Sequence, residues 1–114
     1  MIASYVYLLE LSNGAYYAGY AADPRRRYQS HLRGRGSRLA RSFPPVRLVQ
    51  CWRVRGGRSS AQRVEAFLKS CSRADKERLA NDPQLLAVWL RQRTAVRLRP
   101  RPFALDPTEP AGRG

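Results

Sequence analysis

The chain has 114 residues, of which 43% are hydrophobic and 26% are charged, so its length fits one domain with a core of its own. Its 22 lysine and arginine residues outnumber its 8 acidic residues and give a formal net charge of +14. The apolar content excludes a wholly disordered polycation, and the charge favours a polyanionic partner, with nucleic acid as the leading class.

Membrane insertion and disulfide bonding are not expected. No apolar run approaches the ~18 residues that a transmembrane helix needs, and the first residues lack the basic leader of a secretory signal. Cys51 and Cys71 lack the spacing of a zinc site and are too few for a disulfide framework. We therefore expect buried free thiols and an intracellular, cytoplasmic protein.

The N-terminal third predicts a β-hairpin followed by a helix. Apolar and aromatic residues alternate over 4–11, and a second tyrosine-bearing strand is expected over 15–20. Asn13-Gly14 between them favours a type I′ turn. Gly19 in the second strand suggests the close approach of backbone or a ligand. Asp23-Pro24 is a helix start, for a helix over 24–33.

The rest of the chain predicts a basic loop over 34–45, a strand over 46–54 and a helix over 60–70 that Ser59 or Ser60 caps. Ser72 and Asp82-Pro83 are expected to start two more helices. The result is an α+β fold, with a three-stranded antiparallel sheet flanked by helices in the order β-β-α-β-α-α, over residues 1–92. Residues 93–114 are rich in arginine and proline and are expected to form a disordered tail.

Arginine is concentrated in one stretch. Between Pro24 and Val64 there are twelve arginines and no acidic residue, with Phe43 and Trp52 among them as stacking surfaces. A solvated basic face is one interpretation and nucleic-acid contact is the favoured one. The residues assigned to that contact are Arg25, Arg26, Arg33, Arg35, Arg38, Arg41 and Lys69. If ~6 arginines touch phosphates, affinity falls roughly a thousandfold between 50 and 200 mM salt.

Two features of the sequence indicate a catalytic site that acts on phosphate. Arg27 and His31 are four residues apart on the first predicted helix, so both could reach one phosphate. Glu65 ends the acid-free stretch, and a carboxylate is a ligand that Mg²⁺ takes together with waters and substrate phosphate. A structural His31, and an ion pair of Glu65 with Arg63 or Lys69, remain the alternatives.

These residues resemble the GIY-YIG nuclease superfamily, particularly its small stand-alone bacterial members, over about residues 4–80. Tyr5-Val6-Tyr7 and Tyr17-Ala18-Gly19 stand at the two tyrosine motifs. The segment from Asp23 to His31 is similar to the family's capped helix with Arg and His, and the segment from Val64 to Lys69 to its metal-binding helix. Tyr5 and Ala18 depart from the usual motif residues, and Ala21 stands where a hydroxyl residue is frequent.

The resemblance implies a metal-dependent endonuclease that acts on DNA, structured or damaged, in repair or recombination. It assigns catalytic roles to Tyr7, Tyr17, Arg27, His31 and Glu65, with Tyr7 as general base favoured by nearby cations and Glu65 as ligand of one Mg²⁺ or Mn²⁺. A protein partner could supply specificity. Two alternatives stay open, namely a non-catalytic nucleic-acid-binding module with the same fold, and an interaction protein that docks on an acidic partner.

Overall fold

The computed structural model describes residues 3–105. Its elements in chain order are β1 (Ala3–Leu11), β2 (Tyr16–Ala21), α1 (Pro24–Leu32), α2 (Arg38–Ser42), β3 (Pro45–Arg55), α3 (Arg58–Ser70), α4 (Arg73–Asn81), α5 (Leu85–Arg93) and β4 (Arg101–Pro102). The α+β class and the order of the predicted elements are confirmed. The five-residue α2 lies in the predicted basic loop, where Ser37 accepts a hydrogen bond from the amide of Ala40.

One antiparallel sheet organises the fold, with strand order β2-β1-β3-β4. The sheet has four strands where the sequence predicts three. Residues Arg101–Pro102 pair with the free edge of β3, and the amide of Phe103 donates to the carbonyl of Cys51 at 2.9 Å. An open strand edge offers unpaired backbone groups, so even a two-residue segment without strand patterning can bind there.

The predicted disordered tail therefore differs from the structure over residues 93–105, the first of which ends α5. Val96 and Leu98 pack against one core cluster, and Phe103 and Leu105 pack against the other. Burial of these few apolar side chains holds a segment that composition alone assigns to disorder. The remainder of the predicted tail, residues 106–114, lies outside the described residues, and the domain division at residue 92 stays a prediction.

The two faces of the sheet are covered by different helices. Val6 and Leu8 of β1, with Trp52 of β3, face α3, α4 and α5 and form the larger core cluster. The alternate residues Tyr7 and Leu9 face α1 and α2 and belong to the smaller cluster. Strand alternation thus directs Tyr7 to the side of the sheet on which α1 lies.

Two local predictions change in the structure. Asn13-Gly14 does not form a type I′ turn, because Leu11 donates to the carbonyl of Ala15 across a three-residue loop and Gly14 alone has a positive φ, +85°. A three-residue hairpin loop needs the left-handed conformation only at its last position. No serine caps α3, since Gly57 precedes it; α4 does start at Ser72, whose hydroxyl accepts from the amide of Asp75 at 3.1 Å.

Within residues 3–105 no helix is both long and apolar enough to cross a bilayer. Cys51 and Cys71 are buried free thiols, as predicted.

Candidate active site

A cleft of about 450 Å³ opens where β1 and β2 meet α1 and α3. Four of the five predicted catalytic residues line it, and these are Tyr7, Tyr17, Arg27 and Glu65. The remaining lining residues are Gly19, Tyr20, Ala21, Ala22 and Arg58. The fold thus brings three phenols, two guanidiniums and one carboxylate around a single opening, although these residues are up to 58 positions apart in the chain.

Gly19 allows Tyr7 to lie at the floor of the cleft. The two residues are partners in the β1–β2 register. A Cβ atom at position 19 would overlap the phenol ring of Tyr7, with Cε1 only 2.8 Å away. The close approach predicted at Gly19 is therefore a contact with a side chain of the neighbouring strand.

His31 lies behind Tyr7 and does not line the cleft. The Tyr7 hydroxyl and Nε2 of His31 are 3.0 Å apart in a buried hydrogen bond, and the imidazole is 1% exposed. The prediction that Arg27 and His31 reach the same phosphate is thus not met, because the Arg27 side chain is exposed and lines the cleft, whereas the His31 side chain is buried and does not. His31 therefore contacts two residues of the cleft, Tyr7 through this hydrogen bond and Tyr17 through their rings, whose centroids are 5.5 Å apart.

The environment of His31 keeps it neutral. Burial lowers the pKa of the imidazole, and the charge of Arg27 lowers that pKa further. Nδ1 is buried without a hydrogen-bond partner among the described residues. A Cβ atom at Gly36 would collide with this nitrogen, so a residue without a side chain is required there.

Tyr7 is a neutral phenol at neutral pH. Burial raises its pKa above the usual value, and Tyr17 raises this pKa further, while Arg27 acts in the opposite direction. The expectation that neighbouring cations would favour the phenolate is therefore wrong for Tyr7, because loss of solvation outweighs the attraction of Arg27. Proton acceptance by Tyr7 requires that its own proton move to a neighbouring group.

Glu65 supplies the cleft's carboxylate. Its side chain is 17% exposed, and Oε1 lies 3.7 Å from Nζ of Lys69 on the next turn of α3. The ion pair considered from the sequence is thus present, although 3.7 Å is long for a direct charged hydrogen bond. No group of three or more His, Cys, Asp or Glu side chains gathers among residues 3–105. A single carboxylate suits Mg²⁺ that keeps its waters and takes a substrate phosphate oxygen, rather than a cation enclosed by protein.

Tyr20 and Arg58 are cleft residues that the sequence analysis did not assign. The hydroxyl of Tyr20 accepts from Nε of Arg58 and from Nε2 of Gln62, both at 3.0 Å. Arg58 precedes Glu65 by seven residues, which is two helical turns, so helical spacing could have identified it. Tyr20 has no comparable signal, because its position depends on how α3 packs against β2.

None of the six arginines predicted to contact nucleic acid lines the cleft. Five of them are exposed on α1, the following loop and α2, namely Arg26, Arg33, Arg35, Arg38 and Arg41. Arg25 lines an adjoining pocket with Tyr5 and Phe103. Lys69 contacts Glu65, as described above.

Comparison with known proteins gives consistent matches. A model of the GIY-YIG catalytic domain matches residues 3–78. A UPF0213 protein of Xanthomonas axonopodis pv. citri is 46% identical over 72 residues, covering 63% of this chain and 70% of that protein. A UPF0213 protein of Halalkalibacterium halodurans is 39% identical over 77 residues, covering 68% of this chain and 81% of that protein. The solution NMR structure of a Bacillus halodurans UPF0213 protein, 34% identical, matches with a TM-score of 0.44 and covers 82% of this chain and 99% of that one.

Proposed function

Because the chain belongs to the GIY-YIG catalytic domain family, as its motifs predict, we propose that it is a divalent-metal-dependent endonuclease that hydrolyses phosphodiester bonds in DNA. The family is one of nucleases, whose substrate is nucleic acid. The choice of DNA, the metal and a role on structured or damaged DNA in repair or recombination belong to the proposal. The observation that carries it is the cleft shared by Tyr7, Tyr17, Arg27 and Glu65.

Arg27 and Arg58 provide the positive charge that phosphodiester cleavage requires. Attack on phosphorus increases the negative charge on the phosphate oxygens, and a guanidinium stays protonated at any physiological pH. Arg27 is exposed at the rim and is free to contact an incoming phosphate, whereas Arg58 is held by the hydroxyl of Tyr20. In this proposal Arg27 neutralises the reacting phosphate, and Tyr17 hydrogen-bonds to the phosphate or the attacking water.

Tyr7 and His31 together form the proton acceptor. As a water oxygen bonds to phosphorus, the water loses a proton to the Tyr7 oxygen while the phenol proton passes to Nε2 of His31 over the 3.0 Å hydrogen bond. This step needs the neutral tautomer of His31 with the proton on Nδ1. The lowered pKa of His31 returns the proton readily, so that the pair is ready for another turnover.

Glu65 is the residue that would hold Mg²⁺ or Mn²⁺. When bound, the cation stabilises negative charge on the scissile phosphate and on the departing oxygen. A cation held there would compete with Lys69, whose Nζ lies 3.7 Å from Oε1 of Glu65. A partner protein that supplies sequence or structure specificity, and a cytoplasmic location, remain predictions.

A nuclease assay tests the proposal. Purified full-length chain is incubated with supercoiled, branched and flapped DNA in Mg²⁺, in Mn²⁺ and in a chelator. Tyr7→Phe and Glu65→Ala serve as inert controls. Cleavage that needs metal and is lost in both variants supports the proposal. Salt-sensitive DNA binding without cleavage in any condition would instead favour the non-catalytic binding module.

A further inference from the structure

A second, basic cavity of about 260 Å³ lies at the β3–β4 side of the sheet. It is lined by four exposed arginines, Arg53, Arg55, Arg99 and Arg101, and we call this set the arginine pocket. None of the four takes part in an ion pair within the described part of the chain. The charge of the pocket is therefore not offset by a carboxylate of residues 3–105.

The strand register forces these like charges together. Arg53 of β3 is the direct partner of Arg101 of β4, and Arg55 lies two residues along β3 on the same face. Like charges opposite each other on neighbouring strands destabilise a sheet, unless an anion lies between them. Guanidiniums match phosphate oxygens in a bidentate manner, and a volume of about 260 Å³ leaves room for a hydrated phosphate.

The arginine pocket lies on the same sheet face as the catalytic cleft. Arg53 pairs with Tyr5 of β1, and Tyr5 is two residues from Tyr7 on the same face of that strand. At about 3.3 Å per residue, the pocket begins about 7 Å along the sheet from Tyr7 and extends to about 13 Å, opposite Ala3. At ~3.4 Å per nucleotide along a stacked strand, that distance corresponds to about two to four nucleotides.

Aromatic rings lie between the two cavities. Tyr5 and Phe103 contact each other, with ring centroids 4.9 Å apart, and they line a small pocket together with Ala22 and Arg25. Ala22 also lines the catalytic cleft, so this small pocket adjoins the cleft. Aromatic side chains beside a basic groove are typical of surfaces that bind single-stranded nucleic acid, because unpaired bases stack on them.

We propose that the arginine pocket binds backbone phosphates of a single DNA strand that leaves the catalytic cleft and passes over Tyr5 and Phe103. The proposal rests on the proposed function for the choice of DNA. Arg99, Arg101 and Phe103 lie beyond residues 3–78, which match the family model, whereas Arg53, Arg55 and Tyr5 lie within them.

DNA binding of the full chain tests this site. Fluorescence anisotropy with a labelled single strand of about twelve nucleotides is measured in a chelator, from ~50 to ~200 mM salt. The test variant is Arg53→Ala/Arg101→Ala. The matched control is Arg63→Ala/Arg91→Ala, which removes two exposed charges from α3 and α5 outside the pocket. Thermal unfolding establishes that each variant is folded.

Loss of two phosphate contacts is expected to lower the slope of log K against log salt by about 1.4, at ~0.7 per single-strand contact, and to weaken binding about tenfold or more at low salt. The control keeps the slope of the original chain. Phe103→Leu keeps the slope but weakens binding about fivefold or more. Equal slopes in the test and control variants would overturn the site, and an unchanged affinity of Phe103→Leu would overturn the path over the aromatic rings.

The chelator separates this test from the proposed function. If the original chain never cleaves DNA but Arg53→Ala/Arg101→Ala still lowers the salt slope of binding, the arginine pocket is supported and the nuclease proposal fails. A chain that cleaves DNA but whose Arg53→Ala/Arg101→Ala variant binds like the control would retain the nuclease proposal and lose the pocket.

Discussion

The buried hydrogen bond between Tyr7 and His31 makes a quantitative prediction about Tyr7→Phe. Tyr7 is 2% exposed and His31 is 1% exposed, so neither group can turn to water when its partner is removed. In Tyr7→Phe, Nε2 of His31 loses its partner at 3.0 Å, and Nδ1 of the same ring already has none among the described residues. The imidazole then lies in the core with both nitrogens unsatisfied.

Leaving one buried polar group unsatisfied costs about 1–3 kcal/mol. We therefore expect Tyr7→Phe to lower the free energy of unfolding by about that amount near pH 7, although the phenyl ring refills nearly the whole volume. The free energy of unfolding is measured by urea denaturation, monitored by the fluorescence of Trp52 and Trp89. Tyr5→Phe is the matched control, because its hydroxyl has no hydrogen bond within residues 3–105, and we expect a change of less than about 0.5 kcal/mol.

A double variant isolates the pair. Tyr7→Phe/His31→Leu removes both polar partners, so no orphaned nitrogen remains. Its loss of stability is expected to be smaller than the sum of the two single losses, with a coupling of about 0.5–1.5 kcal/mol. Additive losses, or a Tyr7→Phe variant as stable as Tyr5→Phe, would refute the hydrogen bond as a contributor to the fold and with it the proton path.

Further predictions concern the neighbours of this pair. Arg27→Ala is expected to slow cleavage at least ~100-fold while DNA affinity changes little, as single-turnover rates and anisotropy would measure. Gly36→Ala must displace His31, and we expect lower stability and lower activity together in denaturation and cleavage assays. Because burial lowers the pKa of His31, the unfolded chain binds more protons than the folded chain below about pH 6.5. Stability should thus fall between about pH 7 and pH 5, and urea titrations of His31→Gln should show a smaller fall.

The hairpin and the first helix were predictable because their signals are local. The alternation in β1 and the Asp23-Pro24 start of α1 depend on neighbours within a few residues. The turn type at Asn13-Gly14 was not predictable in this way, because the backbone pairing of Leu11 with Ala15 determines it. β4 could not be predicted from local sequence either, because it forms by pairing with the edge of β3.

The predicted catalytic residues show the same difference between local and tertiary signals. Family motifs identified four of the residues that line the cleft but not Tyr20 or Arg58. They also identified His31, but helical spacing alone placed that side chain at the substrate. Whether a side chain at a given turn is buried depends on what packs against the helix, and here Tyr7 and Gly36 enclose the imidazole. The acidity of Tyr7 was misjudged for a related reason, because charge is visible in the sequence and desolvation is not.

The single-turnover rate of DNA cleavage by Glu65→Gln tests the central claim most directly. Glu77→Gln is the matched control, since Glu77 is also on a helix and paired with a cation, Arg73, but lies outside the cleft. The account predicts metal-dependent cleavage that Glu65→Gln slows at least ~100-fold, with DNA binding retained and with Glu77→Gln at the original rate. Equal cleavage rates for the two variants would contradict it.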